Sequence, residues 1–287
     1  MTMPSLKPFL TLVFAGILAV GATAADAPKI MNLAPLQVLL ITGGCCHDYA
    51  KQKDILKKGL EARANLKVSH IHSDDKSTKP PLSLYGNADY AKGYDVVIHD
   101  ECSADIKDPA VIAAVLAPHR KGIPGVNLHC AMHSYRFGAY GQPVKIGDAN
   151  AHWFEYLGMQ STGHGPQEPI AIRFTDKAHS ITKGLADWTT TKEELYNNIQ
   201  ILPTAKPLAS GKQTVKQKDG GTKDVETVVV WVNDFKGTRV FSTTIGHNNT
   251  TVEDARYLDL VARGLLWACG KLDDSGKAKA GYGPTAK

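Results

Sequence analysis

The chain has 287 residues, 43% apolar and 21% charged, which suits one large domain and excludes a disordered or fibrous protein. Its formal charge of +5 is small and unclustered, with no nucleic-acid motif, so nucleic acid is excluded as a partner. Five cysteines at 45, 46, 102, 130 and 269 are too sparse and odd in number for a disulfide framework.

The first 24 residues read as a secretory signal. Lys7 precedes the apolar stretch FLTLVFAGILAV, and Ala22-Thr23-Ala24 supplies a cleavage site. That stretch is shorter than the roughly 20 residues needed to cross a bilayer, and no later segment is apolar enough to span one. A secreted or periplasmic protein is expected, with residues 25–35 as a linker.

QVLLIT (37–42) is an unbroken apolar run ending in Gly43-Gly44, the pattern of a buried strand entering a turn. Residues 51–63 follow as an amphipathic helix with Ile55, Leu56 and Leu60 on one face, and 66–72 as a second strand. A long polar loop covers 73–93; then come a strand at 94–99, a helix at 109–117 and a strand at 123–129. This alternation specifies a doubly wound, mainly parallel sheet. Beyond it, 148–157 is read as helix, 170–174 as a strand, 226–232 and 239–245 as a late strand pair, and 211–224 as the tip of a long hairpin. Residues 257–269 form a closing helix, and those after 271 a disordered tail.

In such a sheet, ligands bind beyond the carboxyl ends of the strands. Strand one ends in Cys45, Cys46, His47 and Asp48, strand three in His99, Asp100, Glu101 and Cys102, strand four in His129 and Cys130, and the last strand leads to His247. Four strands therefore deliver soft or titratable groups to one edge. His70, His72, His119 and His179 fall outside this pattern and are read as surface or locally hydrogen-bonded residues. The vicinal pair Cys45-Cys46 is not expected to bridge to itself without strain.

Three chemistries fit. Cys130 with His247 as base would give acyl transfer. His47, His129 and His164, with Glu194, would hold a divalent metal. His129 and His247 as a proton-transfer pair would act on a polyol whose hydroxyls Glu194 and Tyr196 hold.

The motifs VLLITGGCCHDY, GVNLHCAMHSYR, HSITKGL, EELYNN, GTRVFSTTIGHNN and YLDLVARGLLWACG resemble, in this order over about residues 36–270, the trehalose-utilisation (ThuA-like) family. The resemblance implies a class I glutamine amidotransferase-like fold: a flavodoxin-like three-layer αβα sandwich on a mainly parallel sheet. It sets His129 where amidotransferases carry their cysteine and His247 in the partner's place, with the flanking glycines absent, implying that amidotransferase chemistry is lost. It further implies a role in isomerising or cleaving oxidised sugars or disaccharides. His129, His247 and Glu194 become the catalytic candidates, and His47, Tyr196, His164, Cys130 and Asp100 the substrate-binding ones. Blander roles stand beside these: a helix cap for His47, a backbone acceptor for Glu194 and a core position for Tyr196. A non-catalytic sugar-binding module is the alternative, and a cysteine hydrolase a further one.

Overall fold

The computed structural model describes residues 1–2 and 33–285; all but the first two residues of the expected signal, and nearly all of the linker, lie outside them. Nine strands form one sheet in the order β2-β1-β3-β4-β9-β8-β7-β5-β6. Its first half is the doubly wound unit: β1 (Leu36–Gly44), α1 (Tyr49–Glu61), β2 (Leu66–Ser73), β3 (Val96–Cys102), α2 (Pro109–Arg120) and β4 (Gly125–Leu128). Asp108 starts α2 by accepting the Ala110 N–H at 2.8 Å, with Pro109 in the first turn.

Strand periodicity explains the layers. Alternate residues of a strand face opposite sides, and both sets are apolar here. Val38, Leu40, Val96 and Ile98 pack with Leu56 and Leu60 of α1 and with α5 (Ala255–Ala268). Leu39, Ile41 and Val97 pack with Ile112, Val115 and Leu116 of α2 and with Trp153, Phe154 and Leu157 of α3 (His152–Leu157). Helices therefore cover both faces of the sheet.

The expectation of a mainly parallel sheet is corrected. β2-β1, β1-β3, β3-β4 and β4-β9 are parallel, but β9-β8, β8-β7, β7-β5 and β5-β6 are antiparallel. The second half comprises β5 (Met159–Phe174), β6 (Trp188–Ile201), β7 (Ala205–Lys216), β8 (Thr222–Phe235) and β9 (Thr238–Thr243), followed by the short α4 (Asn249–Val252). β7 and β8 make the hairpin expected around 211–224. β6 had no strand signal: an edge strand carries Lys192, Glu193, Asn197 and Asn198, residue types depleted in strands generally.

Among the described residues, the segment after Leu272, expected to be a disordered tail, packs back on the domain. Leu272 bridges to Ala278, Asn65 N–H donates to the Tyr282 carbonyl at 3.1 Å, and Asn65 Nδ2 donates to the Gly281 carbonyl at 3.0 Å. No helix among the described residues is long and apolar enough to cross a membrane.

Candidate functional site

Parallel register brings the strand ends together. Gly44 is paired with Cys102, and β4 beside β9 aligns Leu128 with Thr243. Gly44 has φ +100°, and a Cβ there would stand 2.3 Å from the Cys102 carbonyl oxygen, so only glycine lets β1 turn this close over β3. Gly246, φ +132°, lies where a Cβ would meet the Tyr257 hydroxyl at 2.8 Å. It turns the chain after β9 toward His129. His129 itself has φ +40° at the turn where β4 passes into a 3₁₀ segment, His129–His133, a conformation uncommon for a residue with a Cβ.

Three imidazoles meet there. The ring centroids of His47 and His129 are 4.7 Å apart, those of His47 and His247 4.7 Å, and those of His129 and His247 5.5 Å. β6 adds Glu194, whose Oε1 lies 3.3 Å from His247 Nδ1 and whose Oε2 lies 3.5 Å from His129 Nε2. The hydrogen bonds fix the orientation of two rings. His129 Nδ1 donates to the Thr244 carbonyl at 2.6 Å, so Nε2 faces Glu194; this buried nitrogen has no hydrogen-bond partner among the described residues. His47 Nδ1 is 3.4 Å from the His247 carbonyl, which can only accept, so Nε2 is the acceptor from the Cys130 thiol at 3.2 Å. His47 therefore does not cap α1.

Burial, then the neighbouring imidazoles of His129 and His247, push the His47 imidazole down to about 2, so it is neutral in the working pH range. Burial opposes ionisation of Glu194, but the imidazoles of His129 and His247 beside it outweigh that and hold the carboxyl well below the usual carboxylate range. For His247, burial disfavours the proton and Glu194 more than compensates, raising its pKa. The hydrogen bond shared with Cys102, and then burial, hold the Cys130 thiol well above the ordinary value. A thiol kept protonated is a poor nucleophile, which weighs against acyl transfer at Cys130.

A cavity of about 220 Å³ opens beside this cluster, lined in part by His47, Cys130, His133, His164, Glu194 and Tyr196. A wider depression of about 670 Å³ adjoins it through Cys46 and His47 and includes Asp48, Lys76, His247 and Asn249. Tyr196 is core, but its buried hydroxyl has no partner among the described residues. His164, on β5, sits at the rim with Nε2 3.6 Å from Glu194 Oε2 and a 43% exposed side chain. Asp100 departs from expectation: it is buried, lines neither cavity, and burial, then Glu101, pushes its carboxyl well above the ordinary range.

Two groups of described residues bring possible metal-ligand atoms within 4.8 Å of one another: His47, His129 and His247, and Cys45, Cys46 and Cys102, the second only when the Cys45–Cys46 bridge is reduced. The imidazole set thus contains His247 in place of the expected His164. The sulfur set corrects a second expectation, since Cys45 and Cys46 are bridged to each other. Cys46, φ +82°, follows two glycines that let the chain fold back on itself.

Four residues at the site were given no role by the sequence. Glu193 accepts the backbone N–H of His247 at 3.0 Å, of Asn248 at 3.3 Å and of Gly246 at 3.4 Å, the backbone role considered for Glu194. His133 stacks on Tyr196 with centroids 4.2 Å apart and donates or accepts at Ser161 Oγ, 2.9 Å. Arg136 lines the cavity with its buried Nε unpartnered among the described residues. Thr244 supplies the carbonyl that orients His129. The signals for His133 and Arg136 were present in the run HCAMHSYR; Glu193 binds backbone N–H groups with its carboxylate and Thr244 acts through its own carbonyl, and neither leaves one. His119 is not at the surface: it is fully buried, with Nδ1 donating to the Ile123 carbonyl at 2.8 Å and Nε2 accepting from His99 Nε2 at 3.1 Å.

Comparison with solved structures gives low-identity likenesses. A β-galactosidase from Rahnella sp. R3 matches with a TM-score of 0.50 and 12% identity, over 82% of this chain and 31% of that one. A protein of Thermoplasma acidophilum described as a GMP synthase component matches with TM-score 0.48 and 11% identity, over 82% and 94%. A glutamine amidotransferase of Thermotoga maritima matches with TM-score 0.45 and 9% identity, over 82% and 98%. No curated protein matches the chain. The family described as trehalose utilisation matches residues 37–268, a span that includes the imidazole cluster, Glu193, Glu194 and the strands that carry them, and the chain belongs to that family, ThuA.

Proposed function

We propose that this is an exported enzyme of carbohydrate utilisation that isomerises or cleaves an oxidised (keto) sugar or disaccharide by proton transfer. The observation that carries the reading is Glu194 set between His129 Nε2 and His247 Nδ1, at 3.5 and 3.3 Å. Beside a sugar carbonyl, a base must take the proton from the adjacent carbon while an acid protonates the oxygen; the resulting enediol either returns the proton elsewhere or expels a leaving group. His247, its proton favoured by Glu194, serves as the acid. Glu194, which lines the cavity, takes the carbon proton and passes it to His129 Nε2, which is left to accept because the Nδ1 proton is engaged by Thr244. Tyr196, His164 and Arg136 line the pocket in position to hold hydroxyl or carbonyl oxygens, and family membership supports a sugar as their ligand. The fit is to a neutral or keto sugar, because imidazoles and unpartnered hydroxyls match polyol hydrogen bonding better than they match an anion.

A second reading is favoured by the unpartnered, buried His129 Nε2. His47, His129 and His247 would hold a divalent cation of the zinc class, with Glu194 beside it. The Nδ1–H bond of His129 to a carbonyl is the support such ligands commonly have. A cation there would polarise the sugar oxygen, and Glu194 would carry the proton.

The test is a thermal-shift screen of oxidised and unoxidised disaccharides on protein whose metal content has been measured by elemental analysis. Stabilisation selective for the oxidised sugars is expected. Stabilisation by neither class rejects the sugar reading. One equivalent of bound metal, lost in His129→Ala, selects the second mechanism over the first.

A further inference from the structure

Four of the five cysteines gather at the mouth of the cavity, beyond anything the sugar chemistry uses. Pairing of Gly44 with Cys102 places the next residue, Cys45, directly over the end of β3. Cys45 Sγ, already bonded to Cys46 Sγ, lies 3.4 Å from Cys102 Sγ. Cys102 and Cys130 are buried, Cys45 is half-buried and Cys46 is exposed. A disulfide thus stands in contact with a free thiol on its inner side and with solvent on its outer side.

The geometry points to an internal thiol–disulfide exchange site, in which the bridge moves from Cys45–Cys46 to Cys45–Cys102 and presents Cys46 as a free thiol for modification by small disulfides or electrophiles. The Cys102 thiol loses its proton and its sulfur attacks Cys45 Sγ. The Cys45–Cys102 bond forms, the Cys45–Cys46 bond breaks, and Cys46 leaves as a thiolate that takes up the proton. Electrons and atoms balance with no outside oxidant. Cys45, Cys46 and Cys102 all line the 220 Å³ cavity, and Cys46 also lines the wider depression, so the exchange rearranges the wall that the two share. The attacked sulfur is Cys45 and not Cys46, because Cys45 is the one in contact with Cys102. The site does not depend on the sugar reading.

The full-length protein, purified without reductant and oxidised with diamide, is incubated folded with N-ethylmaleimide and mapped by mass spectrometry of a non-reducing digest. Label on Cys46, accumulating with time in molecules that carry a Cys45–Cys102 link, is the expected result, with loss of that label in Cys102→Ala. Immediate labelling of both Cys45 and Cys46, equal labelling of Cys46 in Cys102→Ala, or label on Cys102 above an intact vicinal bridge each overturns the proposal. Thiols that stay silent until a chelator is added also overturn it, in favour of a thiolate metal site. Should Cys102→Ala fail to fold, Cys46→Ala, a change at an exposed residue, decides: diamide must link Cys45 to Cys102, and failure to do so refutes the exchange.

Discussion

Replacing Glu193 with Gln removes a charge from a fully buried position while leaving the side-chain shape almost unchanged. The carboxylate accepts three consecutive backbone N–H groups, those of Gly246, His247 and Asn248. A carboxamide offers one acceptor oxygen and turns an NH2 donor toward at least one N–H that is itself a donor. Hydrogen bonds to charged groups contribute about 1.5–3 kcal/mol, and a buried unsatisfied donor costs about 1–3 kcal/mol. Loss of one such bond with one donor left facing another gives a penalty of about 3 kcal/mol, or about 6–12 °C in Tm at this chain length. The same loop carries His247, so the variant should also lose turnover with little change in the intrinsic chemistry at His129. Thermal and urea unfolding measure the first effect, and kcat against KM for a keto-disaccharide the second. A Tm within about 2 °C of the parent, with unchanged kcat, would refute the idea that Glu193 holds this loop.

Acid should destabilise the protein steeply. His47 is held down to about 2 by burial and then by His129 and His247, His119 to about 3 by burial and then by His99, and His133 well below its ordinary value by burial and then by Arg136. All three would take up protons only on unfolding, at about pH 6.5 and below, so stability falls by about 4 kcal/mol per pH unit there. His247 has the opposite sign: its raised pKa stabilises fully below about pH 6.5 and is lost as pH rises through the folded value. The depressed Glu194 stabilises above about pH 4.3 and is lost as pH falls through its folded value. A maximum between about pH 6 and 7 is therefore expected in urea unfolding of chelator-treated protein; equal stability at pH 5 and 6.5 would contradict it. His119→Ala strands His99 Nε2 and the Ile123 carbonyl and should cost about 2–4 kcal/mol, yet leave kcat unchanged because residue 119 lines neither cavity and contacts His99, Ile123 and Tyr156 rather than the imidazole cluster or Glu194. Export predicts a mature N-terminus at Ala25, read by N-terminal sequencing of protein from the extracytoplasmic fraction.

The parallel half of the fold was legible because fully buried strands are continuous apolar runs, as in VLLIT and VVI, and because glycines mark their ends. The antiparallel half was not, since β6 and much of β5 are polar edge segments whose pairing depends on partners distant in sequence. For the site, the strand-end rule named His47, His129 and His247, which do meet, but it also named Asp100, whose side chain is buried away from the cavities. A strand end fixes position and not facing: a one-residue step reverses the side. The same limit explains how Glu193 and Glu194 exchange the backbone and imidazole roles that sequence alone left open for Glu194. The vicinal bridge was discounted on general geometry, and the positive φ of Cys46 after Gly43-Gly44 is the local feature that makes it possible.

The most direct measurement is single-turnover conversion of an oxidised disaccharide by His129→Ala, with binding of the same sugar measured in parallel. Proton transfer at the imidazole cluster predicts near-parental affinity and a loss of conversion of at least about a hundredfold. Parental conversion by the variant would contradict that account, as would a wild-type protein that binds the sugar and never transforms it.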